Sequence, residues 1–207
     1  AVFTIFSMIA FKMELAMDHL LREAAPGDIL PAVVTGCTAF GAFCDVGCGA
    51  AALLGTQQLC ISRLRHAGEM LTPGQRIYAA IRTLDRVQRR VFLTQRELLG
   101  TWAENAARFC AGQTVTGVVR SLTDYGAFIE LTPNLSGLAE DDGTLRVGDH
   151  VAVYIRAIVP ETLKIKLSVL HRVEPQPRPA LRYMQTEGHI RQWRYGNEEF
   201  AKYYTIF

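Results

Sequence analysis

The stretch "LTDYGAFIEL" at residues 122–131 repeats one that occurs earlier in the chain, "CTAFGAFCDV" at residues 37–46. Each copy places an aromatic residue, a glycine, an alanine and a phenylalanine in a row, inside an apolar run that is typical of a β-strand. Gly41 and Gly126 align the two copies. A motif repeated with its surroundings predicts two copies of one structural unit.

The segments around each motif predict the same series of short strands. From Asp28 the first copy reads "ILPAVVTG", "AFGAFCDV", "GAAALLG", "TPGQRIYAAIRTLD" and "RRVFLTQ". The second copy keeps this order with "GQTVTGVVRSL", "DYGAFIEL", "LSGLAE", "RVGDHVAVYIRAIV" and "KIKLSVL". Five short strands with glycines at the corners predict a small closed barrel. The predicted fold class is therefore mainly β, with two five-stranded barrels.

The remaining segments predict helices and a tail. The opening "AVFTIFSMIAFKMELAMDHLLREAA" has an apolar run broken by Lys12 and Glu14, which favours an amphipathic helix over a membrane span. Leu98, Trp102 and Phe109 lie near helical spacing between the copies. The predicted organisation is an N-terminal amphipathic helical segment at 1–27, a first barrel at 28–97, a linker helix at 98–111, a second barrel at 112–171, and a Pro-rich linker with a basic and aromatic tail at 172–207.

Charge is distributed unevenly along a composition that is 49% hydrophobic and 20% charged, as in globular proteins. Residues 28–98 hold eight arginines against five acids, whereas residues 112–170 hold five basic against seven acidic residues. The five cysteines lack CxxC spacing and predict reduced thiols rather than a metal site or disulfide framework. Strand alternation points Cys44 into the barrel, so we expect it in the core.

Each unit resembles an S1 RNA-binding domain, the oligonucleotide-binding (OB) barrel of ribosomal protein S1 and of many RNA-processing enzymes. The second copy carries the closer likeness, through "TVTGVVRSLTDYGAFIEL", "SGLAE", "VGDHVAVYI" and "KIKLS". The stretch from the linker helix to the third strand of this copy, residues 96–140, also resembles small S1-like proteins of clostridial-type bacteria. The first copy is looser, through "DILPAVVTGCTAFGAF", "ISRL", "GQRIYAAIRTLD" and "RRVFLT". The resemblance implies OB barrels that bind RNA.

The paired rings are the first candidate site. Residues three apart on a regular strand lie on opposite faces, so Tyr125 and Phe128 share a face only if the backbone breaks step at Gly126. Two rings side by side form a platform on which bases stack. The resemblance implies that Tyr125 and Phe128, and likewise Phe40 and Phe43, contact RNA. The alternative is that these rings only cover the barrel rim.

Charged residues divide the two copies. "ISRLRH" and "DRVQRR" place Arg63, Arg65, His66, Asp85 and Arg90 around the first motif, either as RNA contacts or as a solvated basic face. In the second copy the resemblance implies a basic role for Lys164. However, Glu140 holds the place where the family often has a histidine, with two more acids behind it, and Pro160 stands where an aspartate is common. Acids repel phosphates. We therefore expect the first barrel to be the main RNA site.

The leading functional hypothesis is a non-enzymatic, cytoplasmic single-stranded RNA-binding protein that takes part in translation, with the ribosome or RNA-processing proteins as further expected partners and no membrane partner. The alternative is a protein-interaction scaffold, or an accessory fragment of an RNA-processing assembly, that docks through the acidic second barrel and the tail. The tail sequence "GHIRQWRYG" suits either RNA contact or docking on the barrels. No P-loop, GxSxG or HExxH motif indicates an enzyme, and no cofactor or metal site is predicted.

Overall fold

The first motif lies in a closed five-stranded barrel. The computed structural model describes residues 2–200 and 202–207, with side chains from residue 7 onward, so Ala1 of the predicted N-terminal segment and Ala201 of the predicted tail lie outside the described residues. The strands are β1 (Ile29–Cys37), β2 (Gly41–Asp45), β3 (Ala51–Gly55), β4 (Arg76–Asp85) and β5 (Arg90–Thr94). They close in the order β1-β2-β3-β5-β4, and only the β3–β5 pair is parallel.

The second motif lies in a barrel of the same topology, which confirms the predicted fold class. Its strands are β6 (Thr114–Thr123), β7 (Gly126–Thr132), β8 (Leu135–Ala139), β9 (His150–Val159) and β10 (Lys164–Arg172), closed in the order β10-β8-β7-β6-β9. The first strand of each barrel carries a bulge against the second, between Val34 and Gly36 and between Val119 and Ser121. The two barrels therefore share this bulge as well as their strand order.

The motif glycines are required by a close approach between strands. A Cβ atom at Gly41 would lie 2.5 Å from the Leu54 carbonyl oxygen, and one at Gly126 would lie 2.1 Å from the Ala139 carbonyl oxygen. Gly126 also has a φ of +131°, which L side chains rarely adopt. Directly after the glycine the burial alternates as in a regular strand, since Ala127 and Ile129 are buried and Phe128 is half-buried.

The predicted N-terminal helix is α1 (Val2–Glu23), which packs on the first barrel. Met17 and Leu21 are buried in the core of that barrel. The Arg86 Nε atom donates a hydrogen bond to the Leu21 carbonyl oxygen at 2.9 Å, and Arg89 pairs with Asp18 at 2.5 Å. Within residues 2–200 and 202–207, none of the helices combines the length and the apolar character that crossing a bilayer requires.

The third-to-fourth strand connections differ between the barrels. In the first barrel the connection spans residues 56–75 and contains α2 (Thr56–Leu59) and a 3₁₀ turn at Ala67–Glu69. In the second barrel it is the loop 140–149, which lacks these turns. The connection of the first barrel is therefore about twice as long as that of the second.

The helical connection between the barrels is shorter than the 98–111 segment predicted from the sequence. It consists of a 3₁₀ turn at Arg96–Leu99 followed by α3 (Trp102–Ala106). Thr101 caps this helix in a reciprocal pair with Glu104, which explains where it begins. Trp102 is buried in the second barrel's core, so it anchors the helix there by packing.

The tail docks on the barrels, which decides between the two readings of its sequence. Residues Gln192–Arg194 (β11) and Tyr204–Ile206 (β12) pair as an antiparallel hairpin. Trp193 and Tyr195 are buried in the second core cluster. The Thr205 hydroxyl donates to Glu97 Oε1 at 2.9 Å, and both residues are buried. The aromatic residues of the tail are therefore largely structural, whereas Arg191 and Arg194 remain exposed.

Candidate nucleic-acid interface

Phe40 and Phe43 form a ring pair on the outside of the first barrel. Their centroids are 5.8 Å apart and their planes meet at 83°, an edge-to-face contact. Phe40 is 62% exposed, so its ring remains available to a ligand. Thr56 holds the loop in place, because its N–H donates to the Phe40 carbonyl oxygen at 2.9 Å and its hydroxyl donates to the Ala39 carbonyl oxygen at 2.8 Å. The pair is therefore preorganised.

The second motif is arranged differently. Tyr125 is 79% exposed and Phe128 is half-buried. Both residues lie in the described part of the chain, and the structure shows no ring contact between them, unlike Phe40 and Phe43. Asp141 occupies the position that Thr56 has in the first barrel. Its Oδ1 atom accepts hydrogen bonds from N–H groups of its own loop, and it makes no bond to the Tyr125 carbonyl oxygen. Of the two motifs, therefore, only the first has its two rings in contact.

Arg63, Arg65 and His66 lie on the inserted connection of the first barrel and are exposed. This segment is attached to the ring loop, because the Ala67 N–H donates to the Thr38 carbonyl oxygen at 2.9 Å. His66 Nδ1 accepts a hydrogen bond from the Gly68 N–H at 2.9 Å, which caps the 3₁₀ turn. The structure therefore attaches the segment that carries these three side chains to the ring loop at Ala67.

The family histidine position is occupied by another residue in the first barrel. Leu54 pairs with Ala42 as Ala139 pairs with Ala127, so Gly55 corresponds to Glu140. His66 lies farther along the chain and reaches the ring loop through the insertion. Sequence reading could not make this distinction, because the insertion begins directly after β3.

Asp85 and Arg90 face each other at the opposite end of the ring face. They are paired across the β4–β5 hairpin, and Arg90 is exposed. Asp85 Oδ1 accepts a hydrogen bond from the Gln88 N–H at 2.8 Å and so shapes the turn. In the second barrel the residue paired with Lys164 is Val159, which corrects the assignment of Pro160 to this position.

The acidic residues of the second barrel lie beside its motif, as expected. The Cα atom of Glu140 is 3.5 Å from the place a Cβ on Gly126 would occupy. Asp142 accepts hydrogen bonds from the Thr144 hydroxyl at 2.6 Å and from the Thr144 N–H at 3.0 Å. These bonds hold the pKa of Asp142 below its usual value, so its carboxylate remains charged in the loop that follows Glu140.

Direct contacts between the barrels were not predicted from the sequence. Arg120 of β6, whose side chain is 8% exposed, pairs with Glu130 at 2.6 Å and with Glu69 of the first barrel's connection at 2.7 Å. Burial alone would lower the pKa of Arg120, but the hydrogen bond and charge of Glu130, with the charge of Glu69, outweigh it and raise the pKa. The residue pattern within one β-strand cannot predict such a triad, because its members come from three separate elements.

Asn134 forms a second link at the junction. It is fully buried, and its Nδ2 atom donates to the carbonyl oxygens of Arg96 and Gly100, at 2.7 Å each. Its Oδ1 atom accepts from the Ile61 N–H of the first barrel at 3.1 Å. The orientation of the barrels is therefore set by side-chain contacts as well as by the short helix.

Comparison with known proteins matches residues 23–96 to the S1 RNA binding domain. This region contains the first barrel, the copy with the looser sequence likeness. Small ribosomal subunit protein bS1 of Staphylococcus aureus (strain COL) is 30% identical over 188 residues, which cover 82% of this chain and 48% of the relative. The bS1 protein of Leuconostoc lactis is 28% identical over 178 residues, covering 79% of this chain and 41% of the relative.

Among solved structures, a multidomain protein with nucleic acid binding domains from Streptococcus pneumoniae aligns with a TM-score of 0.33 and 16% identity, covering 75% of this chain and 57% of that chain. The chain spans less than half the length of the two bS1 relatives, at 48% and 41%.

Proposed function

Because the chain is an S1-domain protein related over most of its length to small ribosomal subunit protein bS1, we propose that it binds single-stranded RNA and acts with the ribosome in translation. The observation that carries this proposal is the exposed, preorganised Phe40–Phe43 ring pair inside the region that matches the S1 RNA binding domain. The proposed activity is binding and requires no catalytic group.

In the proposed mechanism the first barrel is the main site. Bases stack on Phe40 and Phe43, and stacking contributes about 1–3 kcal/mol per base with little dependence on sequence. Arg63 and Arg65 at one end of the ring face, and Arg90 at the other, neutralise phosphates and can also stack on bases.

Two further side chains of the first barrel complete the proposed site. His66 donates through its Nε2–H to a phosphate or a base edge, since its Nδ1 atom is occupied as an acceptor. Asp85 accepts a hydrogen bond from a 2′-hydroxyl or from a base amino group.

The second barrel is proposed to give auxiliary contacts. Tyr125 is exposed enough to stack on a base, with Phe128 beside the same face, and the exposed Lys164 offers a phosphate contact. The charged Glu140 and Asp142 weaken binding there, because they repel the RNA backbone. The two barrels therefore share one ligand class and differ in affinity.

Fluorescence anisotropy with a labelled, unstructured RNA of about 12 nucleotides tests the proposal, since OB folds bind about 4–16 nucleotides. Losing two stacked bases costs at least about 2 kcal/mol, so the Phe40→Ala/Phe43→Ala double variant should bind roughly 30-fold more weakly. Tyr204→Ala, which removes a 48% exposed ring from the tail hairpin, is the matched control and should bind as the wild type does.

Salt dependence tests the phosphate contacts separately. Each phosphate contact to a single strand contributes about 0.7 to the slope of log affinity against log salt, so Arg63→Ala/Arg65→Ala should reduce the slope by about 1.4. Affinity that changes neither with salt nor with the two phenylalanines would contradict RNA binding at this site. Co-sedimentation of the wild-type chain with small ribosomal subunits tests the ribosomal part of the proposal.

A further inference from the structure

A row of apolar side chains continues from the ring pair across three strands of the first barrel. Phe43 of β2 is paired with Leu53 of β3, and Leu53 is paired with Phe92 of β5. All three are half-buried. Val91 and Leu93, on either side of Phe92, are buried, so alternation directs the Phe92 ring to the outside of the barrel.

The row is part of the surface rather than of the core. Among the described residues that pack against the first barrel's core, Phe43, Leu53 and Phe92 do not appear, whereas α1 contributes Ala16 and Leu20. A half-buried phenylalanine on an outer face removes part of its ring from water without filling the interior. The core of the barrel therefore does not explain why a phenylalanine stands at position 92.

The spacing of the row suits a single strand of nucleic acid. Neighbouring strands lie about 4.8 Å apart, so Phe43 and Phe92 are separated by roughly 10 Å with Leu53 between them. Phe40, directly before β2, adds a further ring whose centroid is 5.8 Å from that of Phe43. Rings at these distances are far enough apart to contact different bases and near enough to lie under one strand. Arg90, two residues before Phe92 on the same face, adds a positive charge beside the row.

The second barrel replaces the last ring of this row by a charge. Phe128 is paired with Leu138, and Leu138 is paired with Lys166. These pairings place Lys166 at the register position that Phe92 has in the first barrel, and its side chain is exposed. The two rows are alike at their first two positions, aromatic and leucine, and differ at the third.

We propose that Phe92 is a third base-stacking residue of the first barrel, and that Lys166 binds an RNA phosphate at the equivalent position of the second. The proposal rests on the RNA-binding function proposed above, and it assigns different RNA contacts to the same position in the two barrels. At this position the first barrel gains affinity from a base, and this contribution depends little on salt. At the equivalent position the second barrel gains affinity from counterion release, and this contribution decreases as salt rises.

Variants at the two equivalent positions test the proposal by anisotropy with the same labelled RNA over a series of salt concentrations. Phe92→Leu keeps an apolar side chain but removes the ring, and it should weaken binding at least about fivefold without changing the salt slope. Phe92→Tyr retains a ring and should bind within about twofold of the wild type. Lys166→Ala should lower the salt slope by about 0.7. Thermal melting of each variant verifies that the barrels remain folded.

The possible results separate this proposal from the one on which it rests. If Phe40→Ala/Phe43→Ala weakens binding while Phe92→Leu binds as the wild type does, Phe92 is not a stacking residue and this inference is overturned. A Lys166→Ala variant with an unchanged salt slope overturns the phosphate contact in the second barrel. A wild-type chain that binds no single-stranded RNA refutes the RNA-binding function instead.

Discussion

Replacing Asn134 by alanine should destabilise the junction of the two barrels more than any single surface change. The side chain is fully buried and satisfies three main-chain groups: the Arg96 and Gly100 carbonyl oxygens, at 2.7 Å each, and the Ile61 N–H at 3.1 Å. A buried polar group left without a partner costs about 1–3 kcal/mol. Three such groups would together lower the free energy of unfolding by about 3–9 kcal/mol. Water that enters the space left by the amide can bond to some of them, so we expect a loss of about 3–5 kcal/mol.

Urea unfolding followed by tryptophan fluorescence measures this loss. The chain has two tryptophans, and both Trp102 and Trp193 belong to the second core cluster next to the junction. Ser62→Ala is the matched control, because it removes a single 3.2 Å contact with Ser136 across the same interface and should cost about 1 kcal/mol or less. An Asn134→Ala variant whose free energy of unfolding decreases by less than 1 kcal/mol would refute the role of this amide.

Two further predictions concern the motif and the thiols. Gly126→Ala should lower the free energy of unfolding by more than about 2 kcal/mol, because φ is +131° and the new Cβ meets the Ala139 carbonyl oxygen at 2.1 Å. Gly143→Ala, at a φ of +84° with nothing within 4 Å, is the control, and an equal loss in both variants would exclude the close approach as the cause. Burial raises the pKa of the Cys44 thiol to about 12, so at pH 8 it should stay protonated and react with a thiol reagent only after unfolding, whereas the exposed Cys110 reacts in the folded protein. Rapid labelling of Cys44 in the folded protein would contradict its placement in the core.

The barrels were predictable because their signals are local. Alternation along a strand, as between the buried Ala127 and Ile129 and the half-buried Phe128, follows from backbone geometry and is legible in a few residues. The repeat doubled that signal. The same pattern predicted that the rings of each pair share a face, but it did not indicate that Phe40 and Phe43 touch edge to face while Tyr125 and Phe128 do not touch.

The sequence did not indicate which basic residues remain available to bind a ligand. Arg86 and Arg89 belong to the basic hairpin, but α1 engages both, through the Leu21 carbonyl oxygen and the Asp18 carboxylate. A count of basic residues cannot separate those that bind the protein itself from those left for a ligand. Arg90, on the same hairpin, remains exposed.

The succession of strands along the chain followed from short-range periodicity, because neighbouring residues dictate how a backbone alternates, and the number of barrels followed from the repeat. Other features required the folded chain: the Arg120 triad, the Asn134 junction, the docked tail and the row that ends at Phe92. Each brings together side chains from segments far apart in sequence, and such contacts depend on the register and packing of whole elements. In an OB barrel β5 lies next to β3, so Phe92 joins the row of Phe43 only after the barrel has closed.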